Sequence, residues 1–327
     1  MFALDFSFFS DSLIILFLAI FIDLVFGELP DNLHPTLWMG KIILFLKLKF
    51  KNPNNRVEKM NGIFLCLLPI IIHVIPVIFI LYLVRNFFGW LPFIVVSAFI
   101  LSTTTAIRCM RQYTIPVANA LENDDYSSAK ELLPFIVRRD PNGLNRKNII
   151  SAAVETIAEG TTDGITSPFF YFALFGVPGA VTYRVVNTLD SMVGYKTPEC
   201  INIGWFSAKV DTIMNYIPAR LTALLMIFSS IIIGENWKES IRILKRDKNN
   251  TESPNAGWTL SAMAGSLNIQ LEKPGFYIIG DNDNLSPKHI IQSLRIMLVT
   301  TILFALLVIF PLLAIKFIIF YVLFLLV

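Results

Sequence analysis

Long apolar runs constrain the fold of this chain more than any other feature of its sequence. A helix needs about 20 mostly apolar residues to cross the hydrocarbon core of a bilayer. Four runs reach or approach that length, and they predict membrane spans at residues 12–27, 62–84, 87–107 and 296–315. A very short turn separates the second and third runs, which predicts a hairpin.

Three further apolar segments are shorter, or are interrupted by glycine, proline or lysine. They are predicted to be short or re-entrant and lie at residues 169–183, 217–234 and 312–327. Irregular backbone is tolerated at membrane depth only where protein or a water-filled cavity covers it. The whole pattern predicts an all-α polytopic membrane protein with about four to six membrane helices and helical cytoplasmic segments. It is expected to form a single domain over residues 1–327.

The composition supports a membrane protein and excludes several other classes. Hydrophobic residues make up 55% of the 327 residues and charged residues only 16%, whereas soluble domains carry about 25% charged residues. So few charges could not cover the surface of an ordinary soluble enzyme, and a disordered chain or a disulfide scaffold is also excluded. Because the net charge is only +3, no nucleic acid is expected as a partner.

Basic residues predict the orientation in the membrane, since cytoplasmic loops carry an excess of lysine and arginine. These residues are concentrated in segments 41–59, 108–150 and 235–250. We therefore expect a multi-pass protein of the cell membrane, with an outside N-terminus that is retained as the first membrane helix and a cytoplasmic active face. Between residues 150 and 235 the chain must cross the bilayer an even number of times, which includes zero.

An acidic helix face is the first candidate for chemistry, because the sequence has no P-loop, Rossmann, HExxH or GxSxG motif. Glu155, Glu159 and Asp163 lie at positions i, i+4 and i+8, so they share one side of a helix that continues this far. Carboxylates combined with substrate phosphates commonly hold Mg²⁺. The alternative is a solvated face that is paired with basic residues.

Polar residues beside the apolar runs form two more candidate groups. Arg184, Asn187 and Asp190 directly follow the segment at 169–183. Charges beside membrane segments tend to be paired or functional, so this group predicts either substrate contacts or a structural Arg–Asp pair. Arg220 lies near a helix start that is marked by Pro218. Such an arginine suits an anionic group, or it simply extends to the membrane interface.

Several ordered motifs extend over roughly residues 20 to 295. They are Asp23…Gly27-Glu28, His34-Pro35, Arg139-Asp140, Glu155…Glu159…Asp163-Gly164, Tyr183-Arg184…Asn187-Thr188-Leu189-Asp190-Ser191, Asp211…Asn215…Pro218-Ala219-Arg220 and Ser253-Pro254-Asn255-Ala256-Gly257. Because these motifs occur in this order, the chain resembles the membrane-bound adenosylcobinamide-phosphate synthase family of cobalamin biosynthesis, the CobD/CbiB family.

The resemblance implies an enzyme that converts adenosylcobyric acid to adenosylcobinamide or its phosphate. Such an enzyme joins aminopropanol or its O-phosphate to the free propionate carboxylate through an amide bond, as a ligase that consumes ATP. Activating the carboxylate, most simply as an acyl phosphate, requires cations around the phosphate charge and a base for the ammonium. The implied cofactors and partners are Mg²⁺, ATP, the corrinoid, the amino alcohol, the lipid bilayer and other membrane proteins of corrinoid synthesis.

Candidate roles follow from these chemical needs and from the matching motifs. The catalytic candidates are Glu155, Glu159, Asp163, Asp190 and Asp211, of which Glu159, Asp163 and Asp190 are the hypothetical Mg²⁺ ligands. The substrate-binding candidates are Arg139, Asp140, Tyr183, Arg184, Asn187, Asn215, Arg220, Ser253, Asn255, Gly257 and His34. Arginines are expected to hold phosphate, carboxylate or the corrin side chains.

The chain departs from the family pattern at a few of these motifs. Gly160 follows the second acid of the helix face, and Thr212 follows Asp211 where a second aspartate is usual. If these residues replace essential groups, the substrate or the activity differs from that of the family.

Two other classes of function stay open from the sequence. A transporter for a corrinoid or a small solute is the main alternative, because apolar segments broken by glycine and proline beside charges are typical of transporters. A non-catalytic scaffold for corrinoid enzymes is the other. The enzyme is favoured because most candidate residues lie in polar segments, whereas transporters usually place such residues in the middle of a span.

Overall fold

The computed structural model describes residues 2–27, 29–30, 32, 34–137, 140, 143–282 and 284–325, without the side chains of residues 2–8, 320 and 323–325. Helices dominate these residues: α1 (Phe2–Phe26), α2 (Pro35–Phe50), α3 (Asn55–Leu83), α4 (Trp90–Ser102), α5 (Ile107–Glu122), α6 (Tyr126–Leu132), α7 (Arg146–Thr161), α8 (Ser167–Val193), α9 (Trp205–Met214), α10 (Tyr216–Ile233), α11 (Trp237–Asp247), α12 (Ala256–Leu267), α13 (Lys288–Phe304) and α14 (Phe310–Leu325). Two short strands, β1 (Leu271–Lys273) and β2 (Tyr277–Ile279), form an antiparallel pair.

Six helical segments among the described residues are long and apolar enough to cross a membrane. They are Phe9–Phe26, Asn55–Phe88, Trp90–Glu122, Arg146–Val193, Tyr216–Ile233 and Lys288–Ile319. Their number and the helical content confirm the predicted all-α polytopic membrane protein. The fourth segment has 48 residues and would measure about 72 Å as a straight helix, which is more than two crossings of a ~30 Å hydrocarbon core. A π-helical turn at Thr162–Thr166 and a break within α8 interrupt it.

The contacts divide the chain into two compact units. The first unit comprises Met1–Ala106, Ser167–Met214 and Val308–Val327, and the second comprises Ile107–Thr166 and Asn215–Leu307. Each unit draws on more than one stretch of the chain. That both units belong to one membrane domain, as expected from the sequence, stays a prediction.

In the first unit, α1 and α4 run in the same direction and meet through polar contacts at both ends. The indole N–H of Trp90, at the start of α4, donates to Asp11 Oδ1 at 2.7 Å. Just beyond the other end of α4, the Thr105 hydroxyl donates to Asp23 Oδ2 at 2.9 Å. The two aspartates are twelve residues apart in α1, which is about 18 Å of helix. Two parallel helices require a crossing between them, and α3 supplies it.

Helix α8 is broken in the segment where the sequence shows glycine and proline among apolar residues. Gly176 has φ +69° and ψ −163°, a conformation that favours glycine. Pro178 lacks the backbone N–H that would continue the helical hydrogen bonds. The carbonyl of Leu174 before the break accepts a hydrogen bond from Lys316 Nζ at 2.9 Å. A lysine at the C-terminal end of a half-helix also complements its dipole. This contact explains a lysine within the otherwise apolar helix α14.

We expect Lys316→Met to destabilise the first unit, because it removes the charged donor to the Leu174 carbonyl. A hydrogen bond to a charged group contributes about 1.5–3 kcal/mol. Thermal unfolding in detergent should show a lower midpoint for this variant than for the wild type, whereas Lys316→Arg keeps most of the stability. Ile315→Met on the same helix is the matched control. Equal midpoints for Lys316→Met and the control would contradict this role.

In the second unit, pairs of buried hydroxyl groups link neighbouring helices. Ser229 and Thr300 join α10 to α13 at 2.9 Å, and Ser230 and Ser266 join α10 to α12 at 2.7 Å. Small hydroxyl residues allow close helix packing and satisfy each other where water is excluded. The second unit is therefore held by small polar contacts as well as by apolar packing.

The hairpin of β1 and β2 departs from the expected helical pattern of the second unit. Its turn contains Gly275 with φ +78°, and Leu271 lies opposite Ile279. The backbone N–H of Glu272 donates to Ser151 Oγ of α7 at 2.7 Å, and that of Gly280 donates to the Asp247 carboxylate of α11 at 2.8 Å. The hairpin is thus fixed to two helices.

The Asp247 carboxylate should make the attachment of the hairpin pH-dependent. Burial raises the pKa of Asp247, but hydrogen bonds from Arg246 and from Gly280 outweigh burial and hold the pKa below its usual value. A lowered folded-state pKa stabilises the fold above the unfolded value of about 3.9, and this stabilisation is lost as the pH falls through the folded-state pKa.

We therefore expect hydrogen exchange of the β2 amides, corrected for intrinsic rates, to accelerate as the pH falls below about 4. Asp247→Asn should remove this acceleration, whereas Asp124→Asn, at an exposed aspartate of the same unit, should leave it unchanged. Identical pH profiles for the wild type and Asp247→Asn would exclude this carboxylate as the cause.

Candidate functional site

Arg220 on α10 is the centre of a cationic and aromatic cluster in the second unit. Its Nη1 donates to Asn255 Oδ1 at 2.9 Å and to the Tyr216 carbonyl at 2.6 Å. The guanidinium lies 3.5 Å from the centre of the Tyr216 ring and 4.9 Å from that of Trp258, and Lys248 Nζ lies 4.8 Å from the same Trp258 ring. Two cations therefore share one aromatic platform, which positions them without neutralising their charge.

The motif at residues 253–257 lies against Arg220 and completes this Arg220 cluster. The Ser253 hydroxyl accepts hydrogen bonds from the backbone N–H groups of Asn255 and Ala256, each at 3.3 Å. A Cβ atom on Gly257 would lie 2.1 Å from the Lys248 carbonyl, so only glycine allows the first turn of α12 to approach this closely. The structure thus brings together Arg220, Ser253, Asn255 and Gly257, which sequence reasoning proposed as substrate-binding residues from separate motifs.

Sequence reasoning missed three members of the Arg220 cluster: Tyr216, Lys248 and Trp258. Tyr216 lies four residues before Arg220, and Trp258 directly follows the 253–257 motif. An aromatic residue four positions from an arginine on a predicted helix is a usable signal, because such residues are neighbours on one helix face. Nothing in the sequence around Lys248 indicates that it belongs to the cluster, because its place there depends on the close approach of Gly257 to the Lys248 carbonyl.

The predicted acidic face is only partly preserved. Glu155 and Glu159 lie on α7, but α7 ends at Thr161 and Asp163 lies in the π-helical turn that follows. The wider turn changes the angular spacing, so the three acids do not continue one regular helix face. All three belong to the second unit, whereas Asp190 belongs to the first.

Glu155 is held by hydroxyl groups at both carboxylate oxygens. Ser151 Oγ donates to Oε1 at 2.5 Å and the Tyr277 hydroxyl to Oε2 at 2.6 Å, and the residue is 3% exposed. Since Ser151 also accepts from Glu272 N, the group connects α7 to the hairpin. These contacts give the Glu155 carboxylate a structural role, and its catalytic role stays a prediction.

We expect Glu155→Gln to keep activity within about threefold of the wild type, because glutamine can exchange hydrogen bonds with both hydroxyls. Glu155→Ala removes both contacts and should lower the free energy of unfolding by about 2–4 kcal/mol. Turnover and thermal unfolding of both variants test this. A folded Glu155→Gln variant with turnover reduced a hundredfold would contradict this expectation and support the predicted catalytic role.

In the first unit, the second half of α8 carries Tyr183, Arg184, Asn187 and Asp190. Tyr183 is fully buried and its ring stacks on Tyr171 at 5.5 Å. Arg184 and Asp190 are six residues apart and so face different sides of the helix. Among the ion pairs of the described residues, none joins them, so the structural Arg–Asp pair does not form. Arg184 Nε is a buried atom that has no hydrogen-bond partner within the described chain.

Asp190 is in direct contact with Gly194, one turn further along the chain. A Cβ atom on Gly194 would lie 2.0 Å from Asp190 Oδ1. The backbone N–H of Gly194 donates to the Asp190 carbonyl at 2.8 Å. Gly194 thus leaves space for the Asp190 carboxylate at the end of α8.

The remaining candidates are distributed over other elements. Asp211 lies half-buried on α9, and Asn215 is the buried residue that precedes α10. His34 caps the N-terminus of α2, where its Nδ1 accepts from Thr36 N at 3.2 Å. Asp140 is exposed, and Arg139 lies outside the described residues.

No group of three or more His, Cys, Asp or Glu side chains within the part of the chain that the structure describes is arranged to hold a metal ion. The predicted Mg²⁺ ligands Glu159, Asp163 and Asp190 stay a prediction. Mg²⁺ is commonly bound by one or two carboxylates together with substrate phosphates, so a preformed three-ligand site is not required for it.

These features define a polytopic α-helical membrane protein with polar clusters on its helices, foremost a cationic cluster built on aromatic rings. The CobD/Cbib protein family matches residues 16–297. The chain therefore belongs to the CobD/Cbib family.

Curated relatives match over nearly their whole length. The "probable cobalamin biosynthesis protein CobD" of Methanothermobacter thermautotrophicus is 40% identical over 89% of this chain and 95% of its own. That of Thermoplasma acidophilum is 38% identical over 92% and 97%. The "cobalamin biosynthesis protein CobD" of Dehalococcoides mccartyi is 38% identical over 83% and 87%. No solved structure is significantly similar to the chain.

Proposed function

We propose that this protein acts in cobalamin biosynthesis and joins an amino alcohol, or its O-phosphate, to the free propionate carboxylate of adenosylcobyric acid. The product is adenosylcobinamide or its phosphate. Membership of the CobD/Cbib family and the printed names of the curated relatives support the pathway.

The Arg220 cluster is the main structural observation that supports this proposal. The reaction brings together a carboxylate, a nucleotide and, with the phosphorylated amine, a second phosphate, all of which are anions. Arg220 and Lys248 present two cations beside Trp258, and Asn255 adds an amide. Cations near a developing negative charge stabilise it most where water is excluded, and an aromatic ring offers an apolar surface to a corrin.

The chemistry is a carboxylate activation followed by aminolysis. A propionate oxygen attacks the γ-phosphorus of ATP, the bond to the β–γ bridging oxygen breaks, and an acyl phosphate and ADP form. The amine, after losing a proton from its ammonium to a base, attacks the acyl carbon and expels inorganic phosphate. Asp190 and Asp211 are the proposed bases, because a carboxylate can accept this proton. Arg220 and Arg184 are proposed to hold the anionic groups.

Mg²⁺ is proposed to enter with the nucleotide. Glu159 and Asp163 would hold it, since one or two carboxylates suffice when phosphates supply further ligands. Bound there, it would neutralise charge on the phosphates. The face of the membrane at which this occurs is proposed to be the cytoplasmic one, where ATP is available and where the basic segments predict the polar loops.

Purified protein in detergent tests the proposal when it is supplied with adenosylcobyric acid, aminopropanol O-phosphate or aminopropanol, ATP and Mg²⁺. Mass spectrometry is expected to detect the amide product with one of the two amines. The transporter alternative is measured in parallel as uptake of labelled corrinoid by proteoliposomes. Uptake without any amide product would overturn the enzyme and support the transporter.

A further inference from the structure

Helix α8 folds back on itself at its break, and Tyr171 lies where the two halves meet. The rings of Tyr171 and Tyr183 stack at 5.5 Å with their planes 10° apart, although twelve residues separate them in the chain. A straight helix would place these residues about 18 Å apart. A Cβ atom on Gly179 would lie 2.4 Å from the Tyr171 carbonyl, so glycine lets the two halves pack closely. The stack therefore holds the second half of α8 against the first.

The hydroxyl group of Tyr171 connects the first half of α8 to the end of α9. It donates to the carbonyl of Met214, the last residue of α9, at 2.9 Å. The last carbonyls of a helix have no partner within that helix. Four residues after Met214 the chain has Pro218, which has no backbone N–H to donate. Tyr171 thus supplies a hydrogen-bond donor to the C-terminal end of α9.

Asp211, one of the two proposed bases, lies on α9 three residues before Met214. Residues three apart are neighbours on one side of a helix, and the Tyr171 hydroxyl is close enough to the Asp211 carboxylate for an electrostatic interaction. The hydrogen bond to Met214 acts on the backbone of α9. It therefore positions Asp211 irrespective of the other contacts that this carboxylate makes.

The second half of α8 carries two more groups that the proposed reaction uses. Arg184 directly follows Tyr183, and Asp190 lies further along the same half-helix. Tyr171 therefore contacts both elements that carry the proposed bases. Its ring contacts the half-helix of Asp190, and its hydroxyl group contacts the helix of Asp211.

We propose that Tyr171 is a positioning residue for amide formation, which holds Asp211 of α9 in place relative to the half-helix of Arg184 and Asp190. This inference rests on the proposed function, because that function assigns Asp211 as a base. Tyr171 itself contacts neither the substrates nor the nucleotide. Its loss should therefore slow the chemical step and leave substrate binding unchanged.

Tyr171→Phe tests the inference, because it removes the hydroxyl group and keeps the ring stack. We expect kcat to fall about 3- to 10-fold, the effect of one neutral hydrogen bond, with KM unchanged for the amine, the corrinoid and ATP. Tyr126→Phe is the matched control. It removes a tyrosine hydroxyl group that accepts from Arg146 at 3.1 Å outside the candidate site, and its kcat should equal that of the wild type. Thermal unfolding checks that both variants are folded.

A double-mutant cycle with Asp211→Asn separates positioning from a general structural effect. Asp211→Asn alone should lower turnover about 10²-fold or more. If Tyr171 acts through Asp211, adding Tyr171→Phe to Asp211→Asn causes no further loss. A further loss as large as that in Tyr171→Phe alone would overturn the inference, and so would full turnover in either single variant.

Hydrogen exchange of the α9 amides in detergent provides a measurement without turnover. Exchange should be faster in Tyr171→Phe than in the wild type and unchanged in Tyr126→Phe. Equal exchange in all three proteins would also contradict the inference. Failure of the proposed function is distinguishable from this. A wild type that forms no amide, together with faster α9 exchange in Tyr171→Phe, refutes the enzyme and not the contact of Tyr171 with α9.

Discussion

Replacing Arg220 with methionine is expected to lower the rate of amide formation at least about 100-fold, the usual cost of removing one group that stabilises transition-state charge. Methionine keeps most of the apolar contact with Tyr216 and Trp258 but removes the charge and the hydrogen bond to Asn255. Loss of the cation–π contacts should cost only about 1 kcal/mol of stability. Amide product per unit time at saturating substrates is the measurement.

Arg146 offers a matched control for this prediction in the same unit. Its guanidinium lies 5.7 Å from the Tyr126 ring and pairs with Asp124 at 2.9 Å, so it resembles Arg220 in chemistry but belongs to no candidate site. Arg146→Met should keep full activity. Equal activity of both variants would remove Arg220 from the site, and equal loss would point to a general effect of arginine removal.

Asp190→Asn is expected to lower turnover about 10²- to 10⁴-fold, the range in which a general base contributes, while the protein stays folded. Asparagine has the same shape but cannot accept the proton of the amine. Because the proposed base acts on a proton, a slow residual rate should increase with pH as the free amine becomes more abundant. The measurement is turnover of the folded variant between pH 6 and 9.

Gly194→Ala provides independent support for the same role, since its Cβ atom would lie 2.0 Å from Asp190 Oδ1 and displace the carboxylate. Turnover of Gly194→Ala should therefore be reduced, as it is expected to be in Asp190→Asn. In Gly40→Ala, the new Cβ atom would lie 3.4 Å from Met192 Sδ, an ordinary contact, so this control should stay active. Full turnover in Asp190→Asn would refute the assigned base.

The helices could be predicted from the sequence because they depend on local pattern. Apolar length predicts which helices are able to cross a bilayer, and the break of α8 lies at Gly176 and Pro178, which the sequence shows directly. The β hairpin was missed, since two three-residue strands carry little periodicity; only the dipeptide Pro274-Gly275 signalled a turn there. Its place depends on contacts with Ser151 and Asp247, which are far away in the sequence.

The candidate site was predictable where residues that are close in space also belong to one short sequence motif. Ser253, Asn255 and Gly257 lie within five consecutive residues at the start of α12, and Asn255 contacts Arg220. Glu155 was assigned to a catalytic face because helical spacing is visible in the sequence, whereas its hydrogen bond with Tyr277 joins residues 122 positions apart. Long-range hydroxyl contacts of this kind leave no local pattern.

Amide formation by way of an activated carboxylate can be followed with adenosylcobyric acid whose free propionate carries ¹⁸O in both oxygens. We expect one ADP per amide, one ¹⁸O in the released phosphate and one ¹⁸O in the amide carbonyl. The Arg146→Met variant should distribute the label in the same way. Amide that forms without ADP and without label in phosphate would refute the activated carboxylate, and the absence of amide with either amine would refute the enzyme.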